Sequence, residues 1–326
     1  MHEARRKTAR EITWRRHGKR ITFYLPGMFH LDGMTGKYPA ASITGSGCSF
    51  SCDHCMGHIL SGMLQADAPD VLVRKCLQLE KKGCHGVLLS GGCDDNGLLP
   101  WKRFAGAIRR IKAETGLFVS VHAGFPDEQQ ALLLRESGAD QALIDVIGDN
   151  DTLHTVYHAP FGVERIRESM AALENAGLPM VPHVVCGLDY GRIRGEYRAM
   201  NMIAAFAPEQ VAIVSLMPLP RTPMCGVKPP SAEAVADVIA EARLLMPDIP
   251  LSLGCARQRG NHRLEELAIE AGVNRLALPS PEAVLKARSL GLAIGYQKTC
   301  CSVTRNLSSA TWNPADASGA RDAASR

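Results

Sequence analysis

Eight short apolar runs, each followed by a stretch with helical periodicity, constrain this chain of 326 residues more than any other feature. The runs are AASITG (40–45), GVLLSGG (86–92), LFVSVHAG (117–124), QALIDVIG (141–148), PMVPHVVCGL (179–188), EQVAIVSLMP (209–218), IPLSLGC (249–255) and VNRLALPS (273–280). Amphipathic stretches such as Val71–Lys82, Trp101–Glu114, Val163–Ala176 and Ala232–Met246 fill intervals between them. Several runs end on Gly or Pro, as expected where a strand hands over to a loop. A strand and then a helix, repeated eight times, is the pattern of a parallel sheet closing into an α/β (β/α)₈ barrel of the TIM type. A six-strand partial barrel with a C-terminal extension is the alternative, because the last two units are the weakest. The length suits one such barrel, and chemistry in this architecture sits on the loops that follow the strands.

Composition narrows the setting. Hydrophobic residues make up 46% and charged residues 21%, the balance of a soluble globular chain with ample core. No apolar run approaches the roughly 18–20 residues that span a bilayer. The start, MHEARRKTAREITWRRHGKR, is basic without an apolar segment behind it, so it does not read as a secretory signal. A cytoplasmic location is therefore expected, where thiols stay reduced. The 11 cysteines then favour metal ligation or redox chemistry over a disulfide framework. The formal charge of +4 is mild, its basic residues crowding at Arg5, Arg6, Lys7, Arg10, Arg15, Arg16, Lys19 and Arg20. Residues 1–37 are expected to form a solvated, partly mobile basic extension, with neither nucleic acid nor membrane as a partner. The barrel is expected over 38–303, and 304–326 has the small, polar composition of a disordered tail.

Within that barrel, GSGCSFSCDHC (45–55) places Cys48, Cys52 and Cys55 just after the first strand. A closed structural zinc site takes four ligands. Three thiolates on one short loop suggest a metal centre with one position left open, and Gly45 and Gly47 let the backbone approach closely. The same residues are compatible with a zinc site using Cys52, Cys55 and His58, or with buried structural cysteines.

The spacing Cys48-x₃-Cys52-x₂-Cys55 after the first barrel strand resembles the radical S-adenosylmethionine (SAM) superfamily. The resemblance implies a [4Fe–4S] cluster on these three cysteines, its open iron chelated by the amino and carboxylate groups of SAM. It also implies reductive cleavage of SAM to a 5′-deoxyadenosyl radical that abstracts an unactivated hydrogen. The residue before the third cysteine is usually aromatic in that family, and here it is His54. LSGGCDD (89–95) resembles the family's "GGE" motif, with Gly91 and Gly92 in place and Cys93 where an acidic residue is usual. VVCGLDYGRIRGE (184–196) resembles the fifth-strand motif that packs on adenine. MPLPRTPM (217–224) resembles the Pro-rich loop of the biotin synthase branch, with Arg221 where glycine is common.

Strand alternation sorts the remaining candidates. With Gly187 inward, Val185 and His183 also face the interior while Cys186 packs outward as a core residue. Ser120 and His122 share the inward face of the third strand. Asp145 on the fourth is a candidate for the SAM ribose or the substrate. Cys76 and Cys84 read as packing residues. Cys225, Cys255, Cys300 and Cys301 follow later strands, so three separated rim sites are expected to assemble an auxiliary iron–sulfur cluster, with Ser302 or Arg257 able to complete it.

A second cluster beside a substrate radical suggests sulfur insertion. FYLPGMF, KYPAASITG and PHVVCGLDYG resemble the two-component lipoyl synthases, which implies a protein-bound octanoyl substrate on a carrier protein. A second radical SAM protein and an electron donor such as ferredoxin or flavodoxin would be further partners. Two rivals stand beside this reading. One is a biotin synthase-branch enzyme of cofactor biosynthesis that does not donate sulfur. The other is a non-enzymatic iron–sulfur or zinc scaffold, or a nucleic-acid-binding protein.

Overall fold

The computed structural model describes residues 2–31, 34–305 and 307–311. All eight expected strands form: Ala40–Ser42, Gly86–Ser90, Phe118–His122, Gln141–Asp145, Met180–Cys186, Val211–Ser215, Leu251–Leu253 and Arg275–Ala277. They pair in chain order, each parallel to the next. Alternation along them splits the apolar side chains into two sets. Val87, Leu89, Val119, Val121, Ala142, Ile144, Val184 and Ile213 join the large core under the helices, while Leu143, Val181 and Ala212 pack together inside the barrel. Helix starts are fixed locally: Asp127, Ser231 and Ser280 each accept a backbone N–H of the first turn, satisfying a donor that the helix leaves unpaired.

The ring does not close on itself. Arg20–Tyr24 pairs with Arg275–Ala277, Ala293–Gln297 pairs outside it, and Leu64–Gln65 borders Ala40–Ser42 at the opposite edge. The outcome is a curled, eleven-stranded parallel sheet whose two edge strands are not paired with each other, a partial TIM-type barrel. Both late strands are present, so the partial barrel arises from extra strands at the seam rather than from missing ones.

The basic N-terminal extension is part of this fold. His2–His17 is a helix that docks on Ala232–Leu245 through polar contacts. Arg6 and Asp237 pair at 2.7 Å with both side chains largely buried, Arg5 pairs with Glu241, and Thr13 Oγ1 donates to Gly272 O at 2.7 Å. Its docking stripe is Arg6, Ala9 and Thr13, helical in spacing but barely apolar. A hydrophobic pattern therefore does not reveal it, and the expectation of a mobile arm is corrected.

The chain beyond Gln297 turns into the barrel. Gln141 Nε2 donates to Ser302 O at 2.7 Å, and Gln141 Oε1 accepts from Thr304 N–H at 3.0 Å. Gln210 Nε2 donates to Cys301 O at 2.7 Å, and the Arg275 guanidinium donates to Val303 O. These three buried polar side chains stand at the beginnings of their strands, so residues 300–304 form a floor across the barrel interior. Residues 308–310 make a short 3₁₀ turn that Lys298 N–H meets at Ala310 O. Residues 312–326 of the expected tail lie outside the described residues. No helix among the described residues is long and apolar enough to cross a membrane.

Candidate active site

The cysteine loop leaves Ala40–Ser42 and is held by two neighbouring segments and by a turn of its own. Ser49 N–H donates to Cys93 O at 2.8 Å, Asp53 N–H donates to Val156 O at 2.9 Å, and Met56 N–H closes a turn on Cys52 O at 2.8 Å. The close approach falls at Gly92, where a Cβ would run into Gly47 O and the Cys48 side chain. Gly47 itself makes no close approach, whereas Gly45 serves by its left-handed φ of 64°. Asp53, between two of the cysteines, accepts from His158 Nε2 at 2.9 Å and from the Tyr190 hydroxyl. His158 and Tyr190 both hold left-handed backbones, φ 56° and 46°.

Electrostatics within the loop favour thiolates at two of the three positions. The thiol of Cys93 hydrogen-bonds Cys48 and holds it down at about 6. Cys52 donates to Cys55, which draws Cys55 down and pushes Cys52 up. Burial works against charge on His54, but the Cys55 thiolate overrides it and raises the imidazole. The His54 ring lies 5.2 Å from Tyr157, and its buried Nδ1 has no hydrogen-bond partner in the described structure.

Behind the loop opens a cavity of about 360 Å³ lined by Cys48, Cys52, Cys55, Gly91, Gly92 and Cys93 at one end. Its walls include Leu88, Leu143, Val185, Val214, Leu216 and Met217. His122, Asp145 and His183 project into it, as alternation requires, while Cys186 is fully buried in the outer core and Ser120 bonds Tyr38 at 2.6 Å. Burial would raise the Asp145 carboxyl, but His122, 3.5 Å away, brings it down to about 2. His183 is held down at about 4 by burial and by His122. Its hydrogen bonds agree with a neutral ring: Nδ1–H donates to Val181 O at 3.0 Å, and the Ser302 hydroxyl donates to Nε2 at 2.9 Å.

At the far end of the same cavity lie Cys255, Cys300 and Cys301. They pack with Tyr24 and Ala277, and the Arg275 guanidinium stacks over the Tyr24 ring at 5.2 Å. The Cys301 thiol is drawn down, first by a hydrogen bond from Cys300, while burial pushes Cys255 up to about 11. Cys225 is not with them. It is exposed in the turn after the sixth strand, where the neighbouring Met224 N–H meets Asp53 O. That loop runs over the rim, whereas Cys255 and the floor segment line the interior. Arg257 is no ligand either: it is 1% exposed and bonds Glu265 at 2.7 Å and the carbonyls of Gly254 and Ala277. Arg221 adopts φ 63°, the conformation glycine would take there.

Among the described residues, no three His, Cys, Asp or Glu side chains are arranged to hold a single metal ion. The zinc alternative through Cys52, Cys55 and His58 is therefore not supported by the geometry. A cubane is different, because its thiolates sit on separate corners and need not converge on one point. Soft donors with two lowered pKa values on a loop cradled by Gly92 fit such a cluster.

Sequence reasoning missed the thiol of Cys93 as a neighbour of Cys48, treating it only as a departure from a motif. Its position three residues past the second strand, on the same rim, was the available signal. It also missed Tyr157, whose hydroxyl lies 3.5 Å from Asp145.

The family described as the radical SAM superfamily matches residues 42–193. A biotin synthase of Halorhodospira halophila is 28% identical over 256 residues, 73% of this chain and 74% of that protein. The biotin synthase of Alkalilimnicola ehrlichii is 28% identical over 203 residues, 60% of this chain, which spans 61% of that relative's length. Among solved structures, methylornithine synthase superposes with a TM-score of 0.61 at 17% identity, covering 94% of this chain and 83% of its own. The hydrogenase maturase HydG of Carboxydothermus hydrogenoformans gives 0.62 at 13%, covering 93% and 74%. These two likenesses establish the fold.

Proposed function

The chain belongs to the radical SAM superfamily, in its biotin synthase-like branch, and from that premise we propose that it is an enzyme that cleaves SAM and inserts sulfur into unactivated C–H bonds. Cys48, Cys52 and Cys55 would hold the [4Fe–4S] cluster. When bound and reduced, that cluster supplies the electron that splits SAM and starts hydrogen abstraction. Gly91, Gly92 and Val185 would seat SAM, and Asp145 offers a carboxylate to the ribose hydroxyls or to the substrate. The apolar walls exclude water from a reactive radical and suit an alkyl chain, such as a protein-bound octanoyl group in a lipoyl synthase-like reaction. A carrier protein, a second radical SAM protein and a ferredoxin or flavodoxin are the partners this reading calls for, in a reducing cytoplasm.

One observation carries the sulfur-insertion reading: a single cavity has the three spaced cysteines at one end and Cys255, Cys300 and Cys301 at the other. An auxiliary cluster there would face the substrate, with the Ser302 hydroxyl beside Cys301 as a further oxygen donor. The displacement of Cys225 leaves three thiols rather than four, and this favours the second reading, a branch member that builds a cofactor without donating sulfur.

The deciding experiment is anaerobic reconstitution with iron and sulfide analysis, followed by incubation with SAM, reductant and an octanoylated carrier domain. About eight irons per chain, falling to about four when Cys48, Cys52 and Cys55 are all alanine, together with a thiolated product, supports sulfur insertion. About four irons falling to none, with SAM consumed and octanoyl unchanged, favours the second reading.

A further inference from the structure

Cys93 stands outside the three-cysteine spacing, yet the fold brings its thiol to the same place. The backbone link from Ser49 N–H to Cys93 O locks the second-strand loop against the cysteine loop, and Gly92 lets the two chains touch. Cys48 and Cys93 line the same two adjoining cavities, and the two thiols act on each other electrostatically. All four thiols line one end of the cavity. Cys76 and Cys186 are fully buried in the core and Cys84 lines none of the cavities that hold the cysteine loop, whereas Cys93 is half-buried and faces the cavity. Three spaced cysteines would account for three corners of a cubane, and a fourth soft donor lines the cavity with them.

We propose that the Cys93 thiolate occupies the open corner of the cluster until SAM displaces it. The inference rests on the reading of Cys48, Cys52 and Cys55 as cluster ligands and adds to it a self-capped resting state. The exchange is a ligand substitution. The bond from iron to Cys93 sulfur breaks, and bonds to the amino nitrogen and a carboxylate oxygen of SAM form. The proton that the SAM ammonium sheds on coordinating passes to Cys93, which leaves as a neutral thiol. No electron moves. A capped corner protects the labile iron from solvent and lowers the apparent affinity for SAM in proportion to the capped fraction, about tenfold if nine molecules in ten are capped.

The test uses the full chain reconstituted anaerobically with ⁵⁷Fe in buffer free of added thiol. Mössbauer spectra are recorded with and without SAM, after subtraction of the spectrum of the Cys48/Cys52/Cys55 triple alanine variant. The expected result for the wild type without SAM is a nitrogen- or oxygen-ligated iron in no more than about one cluster in ten, rising to one per cluster on adding SAM. In Cys93→Ala and Cys93→Ser the distinct iron is present from the start, and SAM titration of the reduced cluster's EPR signal gives about tenfold tighter binding. A distinct iron already present in most clusters of the SAM-free wild type, with SAM affinity unchanged in the variants, overturns the capping. If a variant does not fold, the wild-type spectra decide alone. A triple variant that keeps all the wild-type iron overturns the underlying ligand assignment instead, so the two failures are told apart.

Discussion

At the scale of single residues, position relative to the barrel interior separates the cysteines that line the cavity from those that do not. Cys225 and Cys301 are both rim cysteines in the sequence, but one is exposed and the other is 2% exposed beside two further thiols. Cys225→Ser is expected to keep the full wild-type iron content and Cys55→Ala to lose about four irons per chain, and on the sulfur-insertion reading Cys301→Ser loses iron only from the site shared with Cys255 and Cys300. Iron and sulfide assays after anaerobic reconstitution check all three. His183 makes a pH prediction. Its pKa is lowered in the fold from 6.5 to about 4, so the unfolded chain binds the proton first. The stability contributed by neutral His183 is present above about 6.5 and drains away as pH falls toward 4. Urea midpoints should drop through that window in the wild type, and His183→Gln should flatten the drop. Unchanged steepness in the variant would show that other groups govern it.

Between elements, contacts that no periodicity announces hold the site together. Gly92 is where the second-strand loop meets the cysteine loop, and a methyl group there collides with backbone and with Cys48. Gly92→Ala should leave the barrel folded by circular dichroism but prevent loading of the three-cysteine cluster. The N-terminal helix His2–His17 depends on a buried ion pair instead of an apolar stripe. Removing Arg6 leaves the largely buried Asp237 carboxylate with only the exposed His2, 2.8 Å away, so Arg6→Ala should cost about 3 kcal/mol in urea denaturation. The Arg6→Ala/Asp237→Ala double variant should recover part of that loss. A cost below about 0.5 kcal/mol would mean that the helix docks without the pair.

The whole molecule turns a chain terminus into part of its interior. Gln141, Gln210 and Arg275 are polar residues on inward positions of a barrel, where burial without partners is costly. Each has found a carbonyl of the segment 300–304. That segment in turn delivers Cys300, Cys301 and Ser302 to the cavity and supplies the hydroxyl that meets His183 Nε2. Gln141→Ala leaves Thr304 N–H and Ser302 O unsatisfied, which should loosen the floor. On the sulfur-insertion reading, iron held by Cys255, Cys300 and Cys301 should then fall while the three-cysteine cluster still loads and still binds SAM, a split that separate iron counts and SAM titrations would register.

The sequence by itself determined the eight-strand alternation, the loop that bears Cys48, Cys52 and Cys55, and the inward set His122, Asp145, His183 and Val185. The reason is that period-2 and period-3.6 patterns, and the placement of chemistry after strands, are local properties written within a few residues. Only the tertiary structure decided that Arg20–Tyr24 and Ala293–Gln297 extend the sheet past the eighth strand, that the basic N-terminus is a docked helix, and that Cys225 stands apart. It alone placed Cys93 against Cys48 and Cys301 beside Cys255. Those outcomes depend on pairings between residues tens to hundreds of positions apart, and on polar contacts whose partners have no periodic signature.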